Sequence, residues 1–143
     1  MKSLYFFAIC SLILVLTGCS ASVPDGKVAV VIERGNIQTL PIYGPAEIYE
    51  FPVVKKVKIF NVLNQINISD SQVEITYKVV DPIKYYSTFG GFPQTVEKII
   101  APLWSKLAVK NMDSLKVSLS EFSDSIEIIK LHIINTSTRT LQR

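Results

Sequence analysis

The sequence predicts an α+β domain, an antiparallel β-sheet with helices packed on it, and three observations carry that expectation. Apolar and polar residues alternate with period two through much of Val53 to Val79, as half-buried strands require. After Asp81-Pro82 the apolar spacing changes to three and four, the signature of an amphipathic helix. The chain has 143 residues, of which 48% are apolar and 19% charged. That is enough for one modest core, and it argues against intrinsic disorder.

Residues 1–18 stand apart from the domain. A basic start, Met1-Lys2, precedes Leu4 to Leu16, thirteen residues in which only Ser11 is clearly polar. This run is too short for a transmembrane helix and suits the core of a signal peptide. It ends in Leu16-Thr17-Gly18-Cys19, which resembles the lipobox of bacterial lipoprotein precursors. There, small residues before the Cys admit a peptidase to the backbone and the thiol accepts a diacylglycerol. The resemblance implies that residues 1–18 are removed and that Cys19 becomes the lipidated N-terminus. Each buried methylene of its acyl chains would then contribute ~0.8 kcal/mol to anchoring. The competing reading is an ordinary secretory signal or an uncleaved anchor, with Cys19 incidental. The lipobox resemblance also implies that Cys10 leaves with the leader and Cys19 is consumed, so that the processed chain would hold no intramolecular disulfide and its stability would rest on packing. Ser20 follows the Cys, whereas Asp there is the usual inner-membrane retention signal in enteric lipoproteins. By that resemblance the outer membrane is slightly favoured, with the domain facing the periplasm.

Residues 19–24 read as the lipidated N-terminus and a short tether, and residues 25–143 as the folded domain. Lys27 to Arg34 is a β-branched run closed by Gly35-Asn36, and Ile37 to Leu40 is its expected return strand in a hairpin. Pro41, Gly44, Pro45 and Pro52 punctuate the next stretch around Ile48 to Phe51, which should be irregular or edge-like because each proline lacks an amide donor. Between Val53 and Ile68, Val57, Ile59, Val62, Leu63, Ile66 and Ile68 are interleaved with Lys and Asn. Asp70-Ser71 makes a turn, and Val73, Ile75, Tyr77 and Val79 form the cleanest half-buried strand. A β-meander with one wet face is expected.

Asp81-Pro82 ends that strand and opens a short helix to Phe89, since Asp81 can cap it and Pro82 suits its first turn. Pro93 starts a second helix with Val96, Ile99, Ile100, Leu103 and Leu107 on a buried stripe, bent rather than ended by Pro102. Another helix is expected from about Leu119, with Phe122, Ile126, Ile129 and Ile133 on one face. Asn135 to Arg143 lacks a stripe and should fray.

The 15 basic and 12 acidic residues give a net charge of +3, and +2 once Lys2 leaves, with no dense basic block. Nucleic-acid binding is disfavoured on that ground. His132 has no Cys or His partner at ligand spacing, and Gly90-Gly91 lacks the residues of a phosphate loop. No nucleophile-elbow pattern surrounds a serine, and a dyad of Ser105 with Lys106 or Lys110 rests on residue types alone. Metal and cofactor are expected to be none apart from the covalent lipid, and catalytic residues none. Asn67-Ile68-Ser69 and Asn135-Thr136-Ser137 match a glycosylation sequon that means little in a bacterial lipoprotein. Tyr85, Tyr86, Phe89, Phe92 and Trp104 read first as core packing and second as a ligand box. Lys55, Lys56 and Lys58 are a candidate contact with anionic head groups or a partner; a solvated, aggregation-resistant strand edge explains them equally well.

The order of elements resembles the stomatin, prohibitin and flotillin (SPFH, or band 7) domain family. Val23 to Val31 looks like the family's opening strand after its membrane anchor, and Tyr43 to Pro52 like its Gly-containing segment leading to a Pro. Most specific is Val73 to Pro82 with Tyr85-Tyr86, similar to a central strand ending in Val-x-Asp-Pro before an aromatic-bearing helix. Ile99 to Ser105 resembles a family helix in which a Pro, here Pro102, is common. The family normally places an Arg soon after that Pro, where this chain has Trp104, Ser105 and Lys106. The chain also stops near where the family would add a strand and a long coiled-coil helix, so the domain reads as short at its C-terminus.

The resemblance implies a non-catalytic membrane scaffold that self-associates or holds a membrane-protein partner such as a protease. The alternatives are a periplasmic binding module for a small apolar ligand or envelope component, lined by Tyr85, Phe89 and Trp104, and a truncated relative with little function.

Overall fold

The computed structural model describes residues 19–50, 54–69 and 72–134. The leader with Leu16, Thr17 and Gly18, the Phe51-Pro52 pair, the Asp70-Ser71 turn and the tail from Asn135 lie outside the described residues.

The fold is α+β, with nine antiparallel strands in three small sheets and three helices among the described residues. The stretch expected to be a tether is strand β1 (Cys19–Val23), which pairs residue for residue with β5 (Ala46–Glu50), from Cys19 opposite Glu50 to Val23 opposite Ala46. Small residues that lack a hydrophobic run still form a strand here because a proline-bounded partner offers them a free ladder. Strand β2 (Lys27–Glu33) is the centre of the second sheet. It pairs along its length with β6 (Lys55–Asn61) and, on its other edge, with the two-residue strands β3 (Asn36–Ile37) and β4 (Ile42–Tyr43). Its β-branched run is buried on both faces: Val28 and Val30 join the main core, while Ala29 and Val31 pack with Val23 and Ile48 in a second, smaller one.

The hairpin expected after Arg34 is present but brief. Arg34 and Gly35 both take positive φ, 51° and 84°, the backbone that a two-residue turn needs to match strand twist. Pairing then covers only Ile32 with Ile37 and Glu33 with Asn36. The expected meander is also corrected. β6 pairs with β2, and the chain crosses at Val62 into a third sheet, β7 (Leu63–Ile68), β8 (Val73–Val79) and β9 (Ile126–Ile133), in that order. Val62 fastens the crossing, its amide donating to Gly26 O at 3.0 Å and its carbonyl accepting from Val79 N at 2.8 Å. Leu63, counted among the alternating apolar positions, points out and is exposed.

Helix α1 (Pro82–Phe89) has the expected cap: Asp81 Oδ1 accepts from Ile83 N at 2.9 Å and Lys84 N at 3.1 Å. Helix α2 (Pro93–Lys106) runs through Pro102 and buries Val96, Ile100 and Trp104. Helix α3 (Met112–Ser118), capped by Asn111, is unforeseen; one buried residue, Leu115, leaves too little periodicity to mark it.

The helix expected from about Leu119 does not form. A single 3-10 turn (Ser120–Phe122) leads into strand β9, which pairs with β8 from Ile126 opposite Val79 to Ile133 opposite Val73. The reason is a register shift between Thr76, opposite Lys130, and Tyr77, opposite Ile128, which leaves Ile129 as an extra residue. Such a bulge disrupts strict alternation, so Ile126, Ile129 and Ile133 imitate a helical face, while the buried residues are Ile126 and Ile128. An exposed ion pair, Lys84 Nζ to Asp124 Oδ2 at 2.8 Å, ties α1 to the approach to β9. That mutual bond raises the Lys84 ammonium and lowers the Asp124 carboxyl from their ordinary values.

Candidate functional site

Three chain segments meet beside the Cys19–Glu50 pair. Strand β1 runs away from Cys19, the turn at Asp25-Gly26 reverses the chain, and β2 returns to finish at Glu33. The Arg34 amide donates to Val54 O at 2.8 Å, bringing the turn after β2 beside the start of β6. Glu50, the partner of Cys19, accepts from the Val57 amide through Oε1 at 3.1 Å. That bond satisfies a donor on β6, whose only paired neighbour among the described residues is β2, and it clamps the β1–β5 ribbon to the β6 edge.

This clamp sets strand β6, which carries the three lysines singled out by sequence, beside Glu50, the partner of Cys19. Lys55 stands opposite Glu33, Lys56 opposite Ile32 and Lys58 opposite Val30. Lys56 and Lys58 share one face and are exposed; Lys55 is half-buried on the other. Sequence reasoning missed three neighbours, Arg34, Tyr49 and Val54, because only the strand pairing brings them here. Tyr49 is 70% exposed and stands opposite Ser20. Its sole signal in the sequence is alternation with Ile48, which faces the small core. Among the described residues no helix is long and apolar enough to cross a membrane.

The aromatic residues form solid core instead of lining a cavity. Tyr85, Phe89 and Trp104 are each no more than 1% exposed. Tyr85 lies 5.1 Å from Phe60 and 5.4 Å from Phe89, centroid to centroid, and Phe89 lies 5.6 Å from Phe122. The pocket required of an apolar-ligand module is thus filled by its own rings. A surface hollow of about 390 Å³ lies elsewhere, lined by residues including Val80, Lys116, Leu119 and Ile126. The indole Nε1 of Trp104 is buried with no hydrogen-bond acceptor among the described residues, and Phe92 is exposed.

The Tyr77 and Tyr85 hydroxyls hydrogen-bond to each other at 3.0 Å inside this core. Burial pushes both up from the ordinary value of 10.0; their mutual bond reinforces the shift at Tyr77 and opposes it at Tyr85. The folded state therefore holds both protons at a pH where unfolded tyrosines lose theirs. Their contribution to stability is complete below pH 10 and falls above it, with a slope approaching ~1.4 kcal/mol per pH unit for each. Denaturant midpoints measured on either side of pH 10 should show this decline. The double variant Tyr77→Phe/Tyr85→Phe should flatten it, whereas either single change strands the other hydroxyl and costs ~1–3 kcal/mol.

The remaining candidates are dispersed. Ser105 Oγ donates to Pro102 O at 2.8 Å, a local helix contact. His132 is exposed on β9, opposite Glu74. Gly90 ends α1, donating to Tyr86 O. The described residues contain no group of three metal-ligating side chains. No family model matches the chain, and neither does any curated protein.

Proposed function

We propose that the protein is a bacterial envelope lipoprotein whose SPFH-like domain is held against a membrane by acyl chains on Cys19 and acts there as a non-catalytic scaffold. The observation that carries this reading is that Cys19 already lies within strand β1, paired with Glu50 of β5. An anchor at Cys19 would then be an extension of the folded domain, with no flexible spacer between bilayer and core. The SPFH-like assignment draws support from the succession of β8, the Asp81 cap, α1 and the proline-bearing α2.

Scaffolding on these terms is positional. Confinement at the bilayer raises the local concentration of the domain, so contacts too weak to assemble it in solution suffice at the surface. Strand β9 offers one such contact. Among the described residues it is the last strand of its sheet, and Ile129 and Ile133 are each 47% exposed along it. Unpaired strand edges readily accept a second chain. The partners are a further copy of the protein and a membrane protein such as a protease, on the periplasmic side of the outer membrane.

Cross-linking in detergent-free membranes at native expression tests the assembly. Dimers and larger species are expected, weakened by Ile129→Lys on the open edge. Recovery of monomer alone would count against self-association.

A further inference from the structure

We infer that strand β9 pairs antiparallel with β9 of a second copy, in a register centred on Leu131, so that two three-stranded sheets join into one of six strands. The inference rests on the self-association proposed above and gives it a contact and a symmetry. Among the described residues, no strand pairs with the outer edge of β9. Just past its end the Ile134 amide donates inward, to Gln72 O at 2.7 Å. Alternation along the strand then turns the backbone groups of Ile133 and Leu131 to the open edge, where a partner strand can take them.

The residues on this edge select a second copy as the occupant. From Ile129 to Ile133 the chain reads Ile-Lys-Leu-His-Ile, an apolar pattern that antiparallel reversal leaves unchanged. Centred on Leu131, the pairing sets Leu131 opposite Leu131 of the second copy and each Ile129 opposite the other copy's Ile133, the self-matching contact of a two-fold dimer. Ile129 and Ile133, each 47% exposed, would then cover one another. Leu131 and Ile133 stand opposite the buried Ile75 and Val73 of β8, so the joined sheet extends the core face. On the wet face Lys130 meets the other copy's His132, and Glu74, opposite each histidine on β8, offsets that basic pair. A register moved by one residue would oppose the two His132 side chains and set Ile129 against Asn135. Five paired residues fall short of the roughly 20–30 a side of a standard interface, which is why this contact needs confinement at the bilayer.

Disulfide trapping of the full-length processed protein in its native membranes tests the pairing. Lys130 and His132 are exposed, so Lys130→Cys, His132→Cys and the double variant should fold as the parent does. With Cys19 acylated, the introduced thiols are the only free ones. In the inferred register position 130 of one copy faces position 132 of the other as a non-hydrogen-bonded pair, with Cα atoms ~4.5 Å apart. Two copies of position 130, or of position 132, are offset along the strands beyond the ~7 Å that a disulfide spans. Mild oxidation should therefore give a reducible dimer of the double variant and monomer of each single one. Dimer from either single variant would place the axis at another residue and overturn the register; a disulfide to a different protein, or none in any variant, would overturn the pairing. An amine-reactive cross-linker on the same membranes separates the two readings. Dimers with that reagent and none through the thiols remove the β9 contact alone, and monomer with both removes the self-association beneath it.

Discussion

Gly44→Ala is expected to destabilise the protein severely. A methyl group at Gly44 would sit on the carbonyl of Pro24, 2.6 Å from its carbon and 2.7 Å from Val23 O. These are backbone atoms and cannot rotate aside. Gly44 is held in place from both directions: its amide donates to Lys27 O at 3.0 Å, Tyr43 pairs with Val28, and Ala46 pairs with Val23. Relief therefore requires β1 or β4 to move, and either movement opens the small core of Val23, Ala29, Val31 and Ile48. Overpacking of this kind costs ~3 kcal/mol or more, against a total of ~5–15 kcal/mol for an ordinary domain. Gly35→Asn is the control, since Gly35 has open space around it and Asn tolerates positive φ. Urea unfolding followed by circular dichroism should show a midpoint close to the parent for Gly35→Asn and a much lower midpoint for Gly44→Ala. A parental midpoint for Gly44→Ala would contradict the close approach of β1 to the β4–β5 connection.

Cys19→Ala should abolish fatty-acid incorporation completely, because the thiol is the sole acceptor in the lipobox reading and the only other cysteine, Cys10, lies within the leader. The variant should also keep residues 1–18 and run heavier than the parent. Metabolic labelling with a clickable fatty acid distinguishes the forms, with label in the parent and none in the variant. Equal labelling of both would place any acyl chain elsewhere. Folding should be unaffected, since Cys19 is the first residue of β1 and the remaining register from Ser20 to Val23 stays intact.

Legibility in the sequence followed the range of the interactions. Strand β8, the Asp81 cap and the proline-tolerant helix α2 declare themselves because alternation, capping and the three-four stripe are local properties. Three features did not. The paired strand from Cys19 has no apolar run of its own and exists because β5 receives it. Strand β9 looks helical because the bulge at Ile129 breaks its alternation. Helix α3 is too short to show a period. At the candidate site, Cys19 and the three lysines were visible as a motif and a basic run, whereas the approach of β6 to the β1–β5 ribbon was not. That approach depends on one carboxylate, Glu50, reaching the Val57 amide seven residues further along the chain. The aromatic residues show the converse: their types fit either a ligand box or a core, and burial decides for the core.

The mass of the N-terminal peptide from native membranes bears most directly on the anchor. The expected species is a chain that begins at Cys19 with diacylglycerol in thioether linkage to Sγ. A chain that still carries Met1, or one that begins at Cys19 with an unmodified thiol, would contradict it.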